Sequence, residues 1–308
     1  MRPVAALLAA TLVPAMLLAG CGQTAAPSGQ PAPAPVSSSP APSTPAPPPS
    51  SSPATSTSSP STSTPSAPAS DGPSYSAWQL GVHVLPRTAQ GFGEILPTPK
   101  ALRVRRYPTT DRLPPPADGR FHSSIGPVTA AIRQRMGESW SPACPVGLAD
   151  LAYVTVSFRG FDGKAHTGEL VLARSRAADV VSVFRALFAA DYPIEEMRLP
   201  TTADLEAPPT GDGNDTAALV CRATRGTTAW SAHAYGLAID VNPFLNPYHK
   251  GDLVLPERAS AYLDRTRTQP GIIHPGDLIV REFARIGWSW GGAWTSLQDY
   301  QHFTATGR

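Results

Sequence analysis

One stretch of low complexity limits how much of this 308-residue chain can fold. From Gly22 to Ser70 the sequence consists almost entirely of Pro, Ser, Thr and Ala, and it contains no charged side chain. Such a segment cannot bury enough apolar surface to offset the entropy lost when its backbone is ordered. We therefore predict a disordered, polyproline-rich linker over residues 21–75. Roughly 230 residues follow it, which is enough for one domain with a substantial core.

The first twenty residues have the features of an export signal. Arg2 precedes an apolar run from Val4 to Leu18 that is too short to predict a transmembrane helix. The run ends in Leu17-Leu18-Ala19-Gly20-Cys21, which resembles the bacterial lipobox, whose cysteine is lipidated and becomes the mature N-terminus. We expect a lipoprotein signal peptide over residues 1–20 and a lipid anchor at Cys21; the alternative is an ordinary signal peptide.

The lipid anchor predicts where the protein works. An exported chain held at the cell membrane by Cys21 would face the cell wall. The linker over residues 21–75 would then either let the domain sample the wall or serve only as a spacer.

Charge and cysteine content narrow the functional classes. The formal net charge is +2, and the part after the linker contains no basic stripe, so we do not expect nucleic-acid binding. Besides Cys21 the cysteines are Cys144 and Cys221. In an exported protein such a pair predicts a disulfide, with two buried free thiols as the alternative. Neither belongs to a Cys-x-x-Cys pair, which disfavours zinc ligation by them. We expect a monomer.

Hydrophobic periodicity predicts an α+β fold in a single domain, with a mainly antiparallel sheet and packed helices. The segments Leu151–Phe158 and Ala165–Leu172, joined by the turn Arg159–Lys164, predict a β-hairpin. Other elements follow from apolar spacing and end signals: helices over Val128–Met136, Asp179–Ala190 and Leu278–Ile286, and strands at Val220 and Ile239–Val241.

The Pro-rich part of the chain before these elements differs in character. Residues 76–120 predict an irregular arm that lies on the domain or is partly disordered. We therefore place the arm and first helix in residues 76–135, and the main domain in residues 136–308.

Two segments near the C-terminus combine imidazoles and carboxylates. The first is Ser231-Ala232-His233-Ala234-Tyr235-Gly236-Leu237-Ala238-Ile239-Asp240, and the second runs from Trp288 to Asp299-Tyr300-Gln301-His302. A catalytic zinc site needs three protein ligands, an open position for water and a base. Two histidines and one aspartate, with a spare carboxylate near the last histidine, supply that set. They predict a zinc hydrolase with one Zn²⁺ per chain, in which Gly236 and Ala238 let the backbone turn back close to the ion.

Ser231-x-His233-x-x-Gly236-x-Ala238-x-Asp240 with Asp299-x-x-His302 resembles the zinc D-alanyl-D-alanine carboxypeptidase family. That family includes vancomycin-resistance carboxypeptidases and phage L-alanyl-D-glutamate endopeptidases, and it shares its fold with the hedgehog signalling domain. The resemblance spans roughly Cys144 to Phe303. It implies a metallopeptidase acting on peptidoglycan stem peptides, foremost a D-alanyl-D-alanine carboxypeptidase. The alternatives are an L-alanyl-D-glutamate endopeptidase and a catalytically silent zinc-containing wall-binding module, which Asp299 disfavours because a structural zinc needs no base.

The resemblance also implies roles for five residues. His233, Asp240 and His302 would hold zinc, and Asp299 would be the general base. Arg222 would stabilise the oxyanion at the scissile carbonyl, since a guanidinium is always charged. The simpler alternatives are a solvated carboxylate at Asp299 and a structural ion pair at Arg222.

Residues around these five are predicted to support the site or contact substrate: Ser231, Tyr235, Trp290 and Trp294. Ser231 either binds a ligand or caps a turn, and at least one of the tryptophans Trp288, Trp290 and Trp294 is expected in the core. Histidines outside the motif are expected on the surface or in loops: His83, His122, His166, His249 and His274. The acidic, loop-like stretch 211–216 lacks the nearby Ser-Met pair that relatives often carry, which leaves the scissile bond open.

Overall fold

The computed structural model describes residues 74–307, and every structural statement below refers to them. The predicted signal peptide, Cys21 and all but the last two residues of the predicted linker lie outside this range. No helix within residues 74–307 is both long enough and apolar enough to cross a bilayer.

Helices and strands alternate irregularly along these residues. The α-helices are α1 (Ala130–Met136), α2 (Ala177–Ala189), α3 (Thr202–Glu206) and α4 (Leu278–Arg285). The strands are β1 (Ser123–Pro127), β2 (Leu151–Arg159), β3 (Ala165–Ala173), β4 (Glu196–Met197), β5 (Asp215–Thr216), β6 (Ala238–Asp240), β7 (Tyr248–Lys250), β8 (Leu253–Leu255), β9 (Ser289–Trp290), β10 (Gln298–Asp299) and β11 (His302–Thr304). Short 3₁₀ helices lie at Lys100–Leu102, Gly137–Ser139, Leu148–Asp150, Arg174–Arg176, Ala232–Tyr235, Ser260–Leu263 and Gly291–Ala293.

The strands form small, mostly antiparallel sheets, as the α+β prediction requires. Their orders are β1-β2-β3, β10-β7-β8 and β6-β11-β9, and β4 pairs with β5 in parallel. The predicted hairpin is confirmed: β2 and β3 pair from Leu151 opposite Ala173 to Arg159 opposite Ala165. The three predicted helices are confirmed as α1, α2 and α4, with ends within two residues of the predicted ones.

The main core joins the hairpin to the sheet that carries the functional motif. Val180, Phe184 and Leu187 of α2 are buried at helical spacing, alongside buried β2 and β3 side chains. Phe283 of α4 is fully buried and stacks on Phe303 of β11, with ring centroids 4.1 Å apart. This stacking ties β11, and with it the neighbouring His302, to the largest apolar cluster of the described residues.

The arm lies on the domain and is attached by a buried ion pair. Arg105 donates to both carboxylate oxygens of Glu195 at 2.7 and 2.6 Å and to the carbonyl of Asp212 at 2.8 Å. Asn214 also donates to Glu195, at 3.0 Å. Because both charges are buried and hydrogen-bonded, removing either partner should cost about 3–5 kcal/mol of stability. Leu85 and Leu102 of the arm are buried as well.

Three local expectations are wrong. Val220 lies outside any strand. The amide of Leu219 donates one hydrogen bond to Val171 of β3, but the amide of Cys221 then donates to the Ser139 carbonyl, so the pairing with β3 does not continue. His166 is buried rather than exposed, held between Asp111 at 2.8 Å and Asp162 at 3.0 Å. The stretch 211–216 is largely buried and includes β5, since its polar groups bind the arm and Glu195.

Candidate metal centre

His233 is positioned by a short helix with defined ends. The hydroxyl of Ser231 accepts a hydrogen bond from the amide of His233 at 3.3 Å, so Ser231 caps this 3₁₀ helix. Gly236 ends the helix with φ 65°, and a Cβ there would lie 2.6 Å from the amide nitrogen of Ala173. The glycine is therefore required by close approach to β3. The expectation that it also brings the backbone near an ion stays a prediction.

Strand pairing brings the other two predicted ligands together. In the antiparallel pair of β6 and β11, Asp240 lies directly opposite His302. Directly opposed residues project to the same face of a sheet, so the two side chains meet. A carboxylate and an imidazole separated by 62 positions in the chain thereby come within 2.9 Å.

The three ligand atoms have the spacing of a zinc site. His302 Nδ1 lies 2.9 Å from Asp240 Oδ1 and 3.2 Å from His233 Nε2, and His233 Nε2 lies 3.3 Å from Asp240 Oδ1. Ligand atoms of a tetrahedral zinc with bonds of about 2.05 Å lie about 3.3 Å apart. These residues are the only cluster of His, Cys, Asp and Glu in residues 74–307 with metal-ligand spacing. The donor set fits Zn²⁺ in both chemistry and distance.

Hydrogen bonds and charges favour the protonation states that a metal needs. His233 Nδ1 lies 2.6 Å from the carbonyl of Ala218, which fixes the proton there and leaves Nε2 free to ligate. Burial raises the pKa of Asp240, but His233 and His302 outweigh it and hold that pKa well below its usual range. Burial lowers the pKa of His302, against the opposing effect of Asp240. An ionised carboxylate and a neutral imidazole result.

Asp299 lies beside the predicted metal ligands and has a carboxylate oxygen without a hydrogen-bond partner within residues 74–307. Its Oδ1 atom is buried and has no hydrogen-bond partner among the described residues. Burial and then the charge of Asp240 raise the pKa of Asp299 well above its usual range, while a hydrogen bond from Gln301 and the charge of Arg222 oppose the rise. A carboxyl with an unpaired buried oxygen and a raised pKa is suited to exchange protons.

Gly291 sets how closely Asp299 approaches His302. A Cβ at Gly291 would lie 2.7 Å from the Asp299 carbonyl oxygen, 2.9 Å from Asp299 Cβ and 3.3 Å from His302 Cβ. No side chain fits between them without moving one of the two residues. The sequence gives no sign of this requirement beyond a glycine inside the Trp-rich segment.

Arg222 places a positive charge close to this centre. Its guanidinium is exposed, contacts the carbonyl of Ala223 at 3.4 Å, and forms no ion pair within residues 74–307. Its charge lowers the pKa of both Asp299 and His302. The neighbouring Cys221 forms the predicted disulfide with Cys144, whose Cα atoms are 5.7 Å apart. The disulfide therefore fixes the backbone directly before the arginine.

An open cleft of about 680 Å³ contains the three predicted metal ligands, Asp299 and Arg222 in its wall. Ser231 and Trp294 also line it, and the Trp294 ring lies 5.5 Å from that of His302. Tyr235 is exposed outside the cleft lining. Trp290 is buried in the core with its indole donating to the Tyr300 carbonyl at 2.8 Å, so it supports β11 rather than facing substrate.

Comparison with known proteins agrees with this geometry. Residues 224–305 match the model of a family described as D-alanyl-D-alanine carboxypeptidase. The match contains His233, Asp240, Asp299 and His302, and it begins two residues after Arg222. It supports a carboxypeptidase-like peptidase at the level of the family, over well under half of the chain. No curated protein and no solved structure gave a match.

Several groups that contribute to the cleft have no recognisable signal in the sequence. The Ala218 carbonyl is a backbone group, so no residue type marks it. Arg225 and Glu257 line the cleft but lie outside the quoted motif. The sequence does not mark them, because they reach the cleft from separate loops that meet only in the folded chain.

Proposed function

We propose that this protein is a zinc metallopeptidase that hydrolyses peptidoglycan stem peptides, acting as a D-alanyl-D-alanine carboxypeptidase. The main support for this proposal is the group formed by His233, Asp240 and His302, whose candidate ligand atoms lie 2.9–3.3 Å apart in an open cleft. The family match over residues 224–305 supports the same class of substrate.

Different residues of the cleft would have separate roles in peptide hydrolysis. Zn²⁺ held by His233, Asp240 and His302 would supply a Lewis acid that activates water and polarises a carbonyl. Asp299 accepts the proton of the attacking water on its unpartnered Oδ1 and delivers it to the leaving amine. Arg222 stabilises the negative charge that develops on the carbonyl oxygen. The partly apolar cleft wall, including Trp294, holds the peptide.

An L-alanyl-D-glutamate endopeptidase remains the second candidate. The open cleft of about 680 Å³ favours it, because a cleft of that size can accept peptide on both sides of the scissile bond. The silent wall-binding module is disfavoured by Asp299, whose buried oxygen lacks a structural partner among the described residues.

The experiment that tests this proposal is digestion of purified muropeptides with the full-length protein. Mass spectrometry should show loss of one terminal D-alanine, abolished by a chelator and restored by Zn²⁺. Cleavage between L-alanine and D-glutamate would instead establish the endopeptidase. Absence of any zinc-dependent product would overturn the enzymatic proposal.

We further propose that the chain is exported, anchored by a lipid at Cys21 and active as a monomer. The sequence of residues 1–21 supports the anchor. Labelling of producing cells with a radioactive fatty acid should mark the protein and not its Cys21→Ser variant. Equal labelling of both would refute the anchor. Light scattering in detergent would measure the oligomeric state.

A further inference from the structure

The cleft extends beyond the metal centre to a second pair of charges. Arg225 and Glu257 both line it, and each is half-buried. Tyr248 connects the two zones: its strand places it opposite Asp299, and its pKa is raised by burial and by Asp299 but lowered by Arg225. The charges of Asp299 and Arg225 thus both reach one cleft-lining phenol.

Neither charge of the second pair belongs to an ion pair in the described part of the chain. Arg225 and Glu257 form no ion pair with each other or with any other side chain of residues 74–307. Both lie against the same turn of the arm: the Phe92 ring covers the Arg225 guanidinium, and a Cβ at the next residue, Gly93, would lie 3.4 Å from Glu257 Oε1. The charge of Arg225 also opposes the rise that burial causes in the pKa of Glu257. Half-buried charges without an ion-pair partner are available to a charged ligand.

The arm holds this pair in place. The amide of Leu96 donates to the carbonyl of Glu257 at 3.2 Å, and that of Leu85 donates to Pro209 at 2.7 Å. A turn closed by a 2.7 Å hydrogen bond from Thr88 to Phe92 presents the Phe92 ring, whose centroid lies 3.6 Å from the Arg225 guanidinium carbon. Such a cation–π contact restrains the guanidinium and leaves its edge free for hydrogen bonds.

Two opposite charges in one cleft select their ligand. A ligand carrying only an ammonium group would pair with Glu257 and leave Arg225 without a partner, and a ligand carrying only a carboxylate would leave Glu257 without one. A group carrying both charges satisfies both residues. The planar guanidinium of Arg225 can donate two parallel hydrogen bonds to a carboxylate.

We propose that Arg225 and Glu257 form a substrate subsite for a zwitterionic side-chain head group, with its ammonium facing Glu257 and its carboxylate facing Arg225. The inference rests on the proposed function, because it assigns this subsite to a peptide cut at the metal centre. It identifies the substrate class as peptides containing a diaminodicarboxylic acid. Phe92 is a positioning residue that acts through Arg225.

Three synthetic stem pentapeptides that differ only in the third side chain test this assignment. One ends in an ammonium and a carboxylate, one is lysine with an ammonium only, and one is uncharged norleucine. We expect the zinc-loaded full-length protein to cleave them in that order, with kcat/KM differing by about tenfold for each charge. Equal kcat/KM for all three would overturn the subsite and leave the proposed function standing. Cleavage of none would instead refute the proposed function.

Variants assign each charge to its residue. Glu257→Gln should reduce the preference for lysine over norleucine about tenfold, and Arg225→Gln should reduce the preference for the diaminodicarboxylic acid over lysine by the same factor. Glu206→Gln and Arg120→Gln, which alter exposed residues outside the cleft, should keep the wild-type ratios. Unchanged ratios in the cleft variants would overturn the proposal.

A charge-reversal variant distinguishes loss of the subsite from loss of structure. Glu257→Lys should invert the order between lysine and a glutamate-containing peptide, while circular dichroism and zinc content report folding. Misfolding changes all peptides alike and cannot invert an order. A folded variant that keeps the lysine preference would exclude Glu257 from the subsite.

Discussion

The two ends of the cleft are built by different means. At the metal end, formed by His233, Asp240, His302 and Asp299, side chains are held by strand register, a backbone carbonyl and close packing. At the arm end, formed by Arg225, Glu257 and Phe92, half-exposed charges are held by a loop lying on the domain. Bond-making groups need fixed positions, whereas groups that select a side chain tolerate small displacements. The contrast matches the division we propose, with chemistry at the metal end and side-chain selection at the arm end.

The largest effects should follow from loss of a metal ligand. His233→Ala, Asp240→Ala and His302→Ala should each empty a site that holds about one zinc per chain in the full-length protein, and should abolish turnover. Elemental analysis together with D-alanine release measures both. Tyr235→Phe is the matched control, because Tyr235 lies outside the cleft lining. Full zinc occupancy in His302→Ala would remove that residue from the ligand set.

Loss of the proton acceptor should come next. Asp299→Asn should retain zinc but lose turnover by about a hundredfold or more, the usual range for a general acid–base group. The amide keeps the size of the carboxyl group, so the packing against Gly291 is preserved. Steady-state kinetics at matched zinc content would measure the loss. Near-normal turnover would refute the assigned role.

Arg222 tests whether the metal end includes an exposed residue. Arg222→Ala should lower kcat by an amount equivalent to about 2–4 kcal/mol of transition-state stabilisation, with little change in KM. Arg222→Lys should recover part of the loss, since a point charge does not reproduce the planar guanidinium. An unchanged kcat with a raised KM would move Arg222 to binding of a substrate carboxylate. Unchanged kinetics would make its role structural.

The smallest effect belongs to the arm end. Phe92→Leu should reduce the preference for the diaminodicarboxylic acid over lysine only about threefold, because an exposed cation–π contact contributes about 0.5–1 kcal/mol. Phe92 is 44 % exposed, so its replacement should leave the free energy of unfolding nearly unchanged. The competition of the two peptides in one reaction measures the preference directly. A general loss of turnover would contradict the division between the two ends.

How far sequence predicts this molecule differs between its parts. The hairpin and the helices α2 and α4 follow from apolar periodicity, because their side chains bury against one core. The grouping of His233, Asp240 and His302 follows from motif spacing. The strand prediction at Val220 is wrong because the chain turns away from β3 after the single hydrogen bond from Leu219, next to the disulfide. His166 was misplaced because its burial depends on Asp111, which the arm brings from 55 positions away.

The position of the arm is also not predictable from local sequence patterns. Its sequence indicates little regular structure, and the structure attaches it through Arg105 and Glu195, which lie 90 positions apart. No local pattern marks a pair of charges that become partners only after folding. Trp290 and Trp294 likewise occupy the same short segment, yet one supports the core and the other lines the cleft.

Gly291 carries a consequence for recognising working relatives. Since even a methyl group there would collide with Asp299, any chain that keeps this carboxylate in the same place must keep glycine at the corresponding position. The pattern Gly291-x7-Asp299-x2-His302 is therefore a more demanding search criterion than Asp-x-x-His alone. A homologue that retains the aspartate and histidine but carries a larger residue at the glycine should bind metal with a displaced base and turn over slowly.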